Sequence, residues 1–222
     1  MRYFKDKLKR YTYYLLVAWT LMIGLSMIWN GSRLDQAAHL AAQVAARAEF
    51  EKDVLYRRWN ASHGGVYVPA TESSPPNPHL EVPHREVMTE SGKKLTLINP
   101  AYMTRQVHEL GYETDGVFGH ITSLNPIRPQ NAPDAWESEA LKQFEQGEQE
   151  VASVETIHGE RHMRLMRPLV TEKGCLKCHA VQGYREGEIR GGISVAKPME
   201  PFLSIAREKM VDLALAHGIL WL

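Results

Sequence analysis

The chain has 222 residues, room for one globular domain plus membrane-associated helices. Its 26 basic and 26 acidic residues cancel, which argues against a general nucleic-acid binder. The charges are nevertheless unevenly placed. Arg2, Lys5, Lys7, Lys9 and Arg10 crowd the N-terminus with only Asp6 to oppose them.

Residues 11–32 then run without a charge. A helix needs about 20 such residues to cross a bilayer core of ~30 Å. Tyr11, Tyr13, Tyr14 and Trp29 lie near the ends of the run, where amphipathic rings settle at membrane interfaces. A cleaved signal peptide and a buried soluble helix compete with this reading. The apolar run is long for a signal core, and no small-x-small site follows it cleanly. The expectation is a retained single-pass helix in a bacterial inner membrane. By the positive-inside rule its basic end is cytoplasmic and everything after Ser32 is periplasmic.

Residues 33–59 are rich in Ala, Leu, Gln and Glu without Pro or Gly, and read as a helical stalk. Residues 60–65 break it, and 66–68 read as a short strand ending at Pro69. A connection carrying Pro75, Pro76, Pro78 and Pro83 reads as a surface loop. Residues 94–98 alternate like a strand after a turn at Ser91-Gly92. Pro100 suits a first helical position, residues 101–110 have helical spacing, and 116–124 read as a strand.

Asp134 and Glu137 have capping-box spacing ahead of a helix whose Trp136, Ala140, Leu141 and Phe144 share one face, closed by Gly147. Strands at 151–157 and 161–169 are joined by a tight turn at His158-Gly159, and 191–195 form a last strand. A closing helix runs from about Pro201. Its end, residues 210–222, is apolar but would rise only ~20 Å, so the expectation is a second membrane helix cut short, against a packed or interfacial one.

This order implies an α+β domain with an antiparallel sheet, and a small PAS-like sensor fold fits it. The organisation is then a cytoplasmic tail at 1–10, a transmembrane helix at 11–32, a stalk at 33–59, the domain at 60–200 and an exit helix at 201–222.

The only two cysteines occur as Cys175-Leu176-Lys177-Cys178-His179, the C-x-x-C-H signature of covalent haem attachment. Two thiols at this spacing can each add to a vinyl group on the haem edge, and the adjoining imidazole reaches the iron as an axial ligand. A structural zinc site wants a second Cys or His pair, and a thioredoxin-like pair wants a βαβ context. A disulfide closing so small a loop would stabilise little. The expected cofactor is one covalent haem c on Cys175, Cys178 and His179. The motif also falls on the side of the membrane where such attachment happens.

The second axial ligand is not written in the motif. Met103, His120, His63, Met163 and Met166 are candidates, with Met103 and His120 preferred, and an open site would suit a gas sensor. Arg105, Arg164, Arg167 and Arg190 are candidates for the haem carboxylates, and Tyr102, Tyr184 and Trp59 for pocket walls. No catalytic residues stand out. Glu137 with Glu139, and Glu145 with Glu148 and Glu150, read as solvated charges, so no enzyme activity is expected of this chain.

Several runs resemble one family: RWNASHGGVYVP at 58–69, NPAYMTRQ at 99–106, SLNP at 123–126, NAPDAWE at 131–137, CLKCHAVQGY at 175–184 and RGGIS at 190–194. It is the extracytoplasmic haem-c domain with a PAS-like fold, commonly N-terminal in bacterial histidine kinases. The resemblance covers roughly residues 38–199. It implies a PAS-like fold, haem c at Cys175, Cys178 and His179, a homodimer, and a signalling role triggered by redox state or a diatomic gas. A second membrane helix near residues 217–221 would also match such receptors. No dimerisation helix, ATP-binding part or other output module is expected here, so kinase activity belongs only to a longer protein. The competing function is a membrane-tethered monohaem electron carrier.

Overall fold

The computed structural model describes residues 2–222. The chain divides into two compact units, one of residues 1–42 with 199–222 and one of residues 43–198. Helix α1 (Arg2–Ser62) contributes to both. Nothing in its sequence offers a proline, and it stops where Gly64 and Gly65 take positive φ values of 76° and 103°. Among the described residues it is the one helix long and apolar enough to cross a membrane.

The first unit pairs the start of α1 with α5 (Glu200–Trp221) in antiparallel fashion. The indole N–H of Trp221 donates to Thr20 Oγ1 at 2.9 Å, and that of Trp19 donates to Leu220 O at 3.2 Å. Further along, Ser26 Oγ lies 3.0 Å from His217 Nε2, whose Nδ1 is 2.8 Å from Leu213 O. Gly31 lets the side chain of Met210 lie close against α1. These contacts place polar side chains between two otherwise apolar helix faces.

The second unit is α+β with two antiparallel sheets, whereas the sequence suggested one. The smaller sheet has β1 (Val66–Pro69), β2 (Glu86–Met88) and β3 (Lys94–Ile98) in the order β1-β3-β2. Strand β2, at the end of the Pro-rich connection, was not expected, since three residues offer no alternation to read. Helix α2 (Pro100–Asp115) follows, with Asn99 Oδ1 accepting from the Tyr102 N–H at 2.9 Å and Gly116 closing it at φ 65°.

The larger sheet has the order β4-β7-β6-β5, from β4 (Phe118–Thr122), β5 (Val151–Ile157), β6 (Glu160–Val170) and β7 (Ile189–Pro198). His158 and Gly159 join β5 to β6 at φ 51° and 85°, the left-handed pair that a two-residue hairpin turn requires. Strand β7 is last in sequence yet central in the sheet, and its residues 191–196 are buried.

Helix α3 (Ala135–Glu145) covers the sheet with the face expected of it. Ala140, Leu141 and Phe144 cluster with Met166 of β6, with Trp136, Val151 and Ile189 packed around them. The end of α1 contributes Ala46, Phe50, Asp53 and Asn60, buried residues that recur at helical spacing. Arg47 grips Glu150, just ahead of β5, through Nε at 2.7 Å and Nη2 at 2.6 Å. Since Phe144 is 1% exposed at the centre of the cluster, Phe144→Ala is expected to cost about 3–5 kcal/mol. The urea midpoint of the detergent-solubilised chain, followed by tryptophan fluorescence, reads this out.

Candidate functional site

The cysteine motif lies on an excursion between β6 and β7. Backbone bonds tie off its ends: Thr171 N–H donates to Glu188 O at 2.8 Å, and Gly187 N–H donates to Thr171 O at 2.9 Å. Within it, a 3-10 turn at Lys173–Cys175 leads into the four-residue helix α4 (Leu176–His179). Helical geometry sets Cys175 and Cys178 one turn apart on neighbouring positions of one face. Both thiols are free and half-buried. Burial raises the Cys178 thiol above its ordinary range.

His179 is fixed through its ring. Its Nδ1 lies 2.6 Å from Gln182 Oε1, and Arg190 Nη1 donates to its Nε2 at 2.8 Å. These partners select the tautomer with hydrogen on Nδ1 and a lone pair on Nε2. Burial, then the nearby Arg190 cation, lowers its pKa to about 4, so the ring is neutral at pH 7. Tyr184 stands edge-on to the same ring at 6.5 Å.

Two cations gather here without an anion. Arg190 and Arg57 are both half-buried beside the motif, and among the described residues neither forms an ion pair with a carboxylate. Burial and then the neighbouring Arg190 charge bring Arg57 down to about 10, still cationic at neutral pH. Burial likewise lowers Arg190. Partly desolvated, unpaired guanidiniums are costly unless something acidic meets them.

Cys178, His179 and Arg190 open onto a cavity of about 430 Å³, a size typical of small-molecule sites at ~300–1,000 Å³. Its other walls come from the loop at 77–81, from α2 through Tyr102, Arg105 and His108, from β4, and from the 123–131 segment with Arg128. Arg105 lies over the Tyr102 ring at 4.3 Å, and the Tyr102 hydroxyl donates to Pro75 O at 2.8 Å. Gly119 of β4 is required at its place, because a Cβ there would collide with the His108 ring. That ring in turn is 2.7 Å from the buried Asp53 carboxylate.

Of the sequence candidates, Arg105, Arg190, Tyr102, His120 and His179 line this cavity, and Tyr184 stands behind His179. The others lie elsewhere. Arg164 pairs with Asp134 at 2.7 Å and Glu137 at 3.0 Å, and Arg167 with Glu51 at 3.5 Å. Met103 lines a separate cavity with Trp59 and Asn60. His63 packs on Trp59 at 4.6 Å, and Met163 and Met166 are buried in the β6 core. Sequence reasoning missed Arg57, Arg128, His79 and the His108–Asp53 pair. No local pattern marks them, since they meet the motif only through the fold.

Glu137 corrects an expectation outright. The sequence predicts a solvated charge, yet the residue is 0% exposed. The capping box with Asp134 forms as expected, at 2.8 and 3.1 Å. The same carboxylate also takes His120 Nδ1 at 2.9 Å, Arg164, and the hydroxyl of Ser194. His120 Nε2 meets Gln130 O at 3.1 Å, so both its ring nitrogens are engaged. Among the described residues, no cluster of three or more His, Cys, Asp and Glu is placed to hold a bare metal ion.

The Tll0287-like family model matches residues 32–198. The chain belongs to the Tll0287-like family. The family resemblance read from the motifs is thereby borne out. Among solved structures, the chain is similar to the cyanobacterial heme-protein Tll0287, at 19% identity and a TM-score of 0.46, over 72% of this chain and 94% of that one. No curated protein matches.

The His120–Glu137 pair makes stability depend on pH in a defined direction. The Glu137 hydrogen bond raises the His120 pKa, so its contribution is full below the ordinary 6.5 and fades as pH rises through the raised value. Burial pushes the Glu137 carboxyl up, but hydrogen bonds from His120 and Ser194 together outweigh it. Its pKa is therefore lowered, and its contribution is full above the ordinary 4.5 and fades as pH falls through the lowered value. The deficit of His120→Ala against wild type should peak between pH 4.5 and 6.5 and shrink on the alkaline side, in urea titrations at stepped pH.

Proposed function

We propose that this protein is a membrane-anchored, extracytoplasmic haem-c sensor domain, with one haem bonded to Cys175 and Cys178 and ligated by His179. The observation that carries this is the placement of Cys178 and His179 on the wall of a cavity, beside two half-buried arginines that among the described residues have no carboxylate partner. A haem brings two carboxylates, and guanidinium forks match them bidentately. Its iron would supply reversible one-electron chemistry and an affinity for small ligands.

The chain's own residues have separable tasks in this reading. Gln182 holds the Nδ1 side of His179, which would leave Nε2 as the nitrogen available to a metal. Arg190, which donates to Nε2 here, would be available to a haem carboxylate once the metal takes that lone pair, and Arg57 and Arg105 would add to the positive charge nearby. Tyr102, Ile121 and Ile127 give apolar wall to the ring. Membership of the Tll0287-like family supports haem binding, and the apolar α1 supports a membrane anchor.

Signalling needs two states whose difference the haem can bias. The excursion that carries the motif runs directly into β7, the central strand, which ends at Pro198 just before α5 begins. A change in iron charge or ligation would thereby reach the last strand of the domain without a long relay.

Co-expressed with cytochrome-maturation machinery, the full chain should keep its haem through denaturation and acid-acetone extraction. Replacing Cys175 and Cys178 with Ala should abolish that retention, and a wild-type haem that extracts freely would end the proposal. A nitroxide at Ile205, read between two copies in a membrane, should report different distances in oxidised and reduced protein. Equal distances would turn the assignment toward an electron carrier.

A further inference from the structure

The cavity beside α4 receives three imidazoles besides His179, namely His79, His108 and His120. Two are committed to the fold. His108 Nε2 is held by Asp53, and His120 is held at both nitrogens by Glu137 and Gln130. His79 is different. It is half-buried, and among the described residues its ring has no hydrogen-bond or ion-pair partner.

The backbone beneath that ring is firmly placed. His79 N–H donates to Asn77 Oδ1 at 3.1 Å, and Leu80 N–H donates to Asn77 O at 3.2 Å. Arg85 Nη1 also donates to Asn77 O, at 3.3 Å. Leu80, the next residue, is 4% exposed and anchors the turn. The His79 ring nitrogens are not among the fully buried atoms, so water can meet them and they stay free of protein partners without a desolvation cost. A fixed backbone thus holds His79, whose ring has no protein partner among the described residues, in the lining of the cavity that His179 shares.

Building on the haem reading above, we propose that His79 supplies the second axial ligand to the iron, on the face opposite His179. The other soft or imidazole donors are placed elsewhere. Met103 Sδ accepts from Asn60 Nδ2 at 3.7 Å in the separate cavity, and His63 Nδ1 meets Trp59 O at 2.8 Å. The iron is then held by two imidazoles, and its potential lies below that of a His/Met pair. A diatomic ligand can bind only by displacing His79, which couples its arrival to the β1–β2 connection that carries this residue.

The test uses the full chain, matured with covalent haem and held in detergent, and is read by optical and electron paramagnetic resonance spectra. Wild type is expected to be six-coordinate and low-spin, with no optical response to carbon monoxide on mixing. His79→Ala should lose the low-spin signal, gain carbon monoxide binding, and recover low spin when free imidazole is added. His79→Met, which keeps the cavity filled, should show a far-red methionine-to-iron band and a raised midpoint potential. Met103→Leu should leave every spectrum unchanged.

A five-coordinate wild type, or His79 variants that keep the wild-type low-spin spectrum, would overturn the assignment while leaving covalent haem intact. Haem that extracts from wild type with acid acetone would overturn the reading beneath it, and the ligand with it.

Discussion

The second unit is organised around a carboxylate that has left water. Glu137 sits at the start of α3 and carries its charge into a place where β4, β6 and β7 come together. Such burial is tolerated only when every oxygen is met, since one uncompensated charge costs several kcal/mol. Here the Asp134 N–H, His120, Arg164 and Ser194 meet it from four segments. The network therefore specifies how the helix docks on the sheet, beyond the apolar contact of Phe144 with Met166. It also decides the chemistry next door, because a His120 pinned at both nitrogens cannot turn toward a ligand.

The motif region reverses this balance. Around His179 the half-buried charges are positive, and the carboxylates that would neutralise Arg57 and Arg190 are missing from the described contacts. One network is internally satisfied, whereas among the described residues no carboxylate pairs with the two guanidiniums of the other. The same distinction applies to the imidazoles that line the cavity: His108 and His120 have partners, whereas among the described residues the His79 ring has none.

The helix pair of the first unit follows a different rule. Small residues let its two helices approach closely, and side-chain hydrogen bonds between the helices add directional contacts. Gly31 beside Met210, Trp221 with Thr20, and Ser26 with His217 are contacts of this kind. They suit a pair of helices that leave much of their apolar surface outward, as Leu15, Leu25, Ile28 and Leu215 do.

Local chemistry alone determined much of this protein. The C-x-x-C-H spacing, the uncharged run at 11–32, the capping box at Asp134 and the His158-Gly159 turn are short-range patterns, and each was legible because its physics acts within a few residues. The split into two sheets, the strand β2 and the burial of Glu137 were not legible, because each depends on what a distant segment brings alongside. The surroundings of the motif are the clearest case: His79 and Arg57 lie far in sequence from Cys175, and only folding brings His79 into the cavity that Cys178 lines and Arg57 beside the motif. Sequence writes the reactive groups, while tertiary contact decides which of them stay free to react.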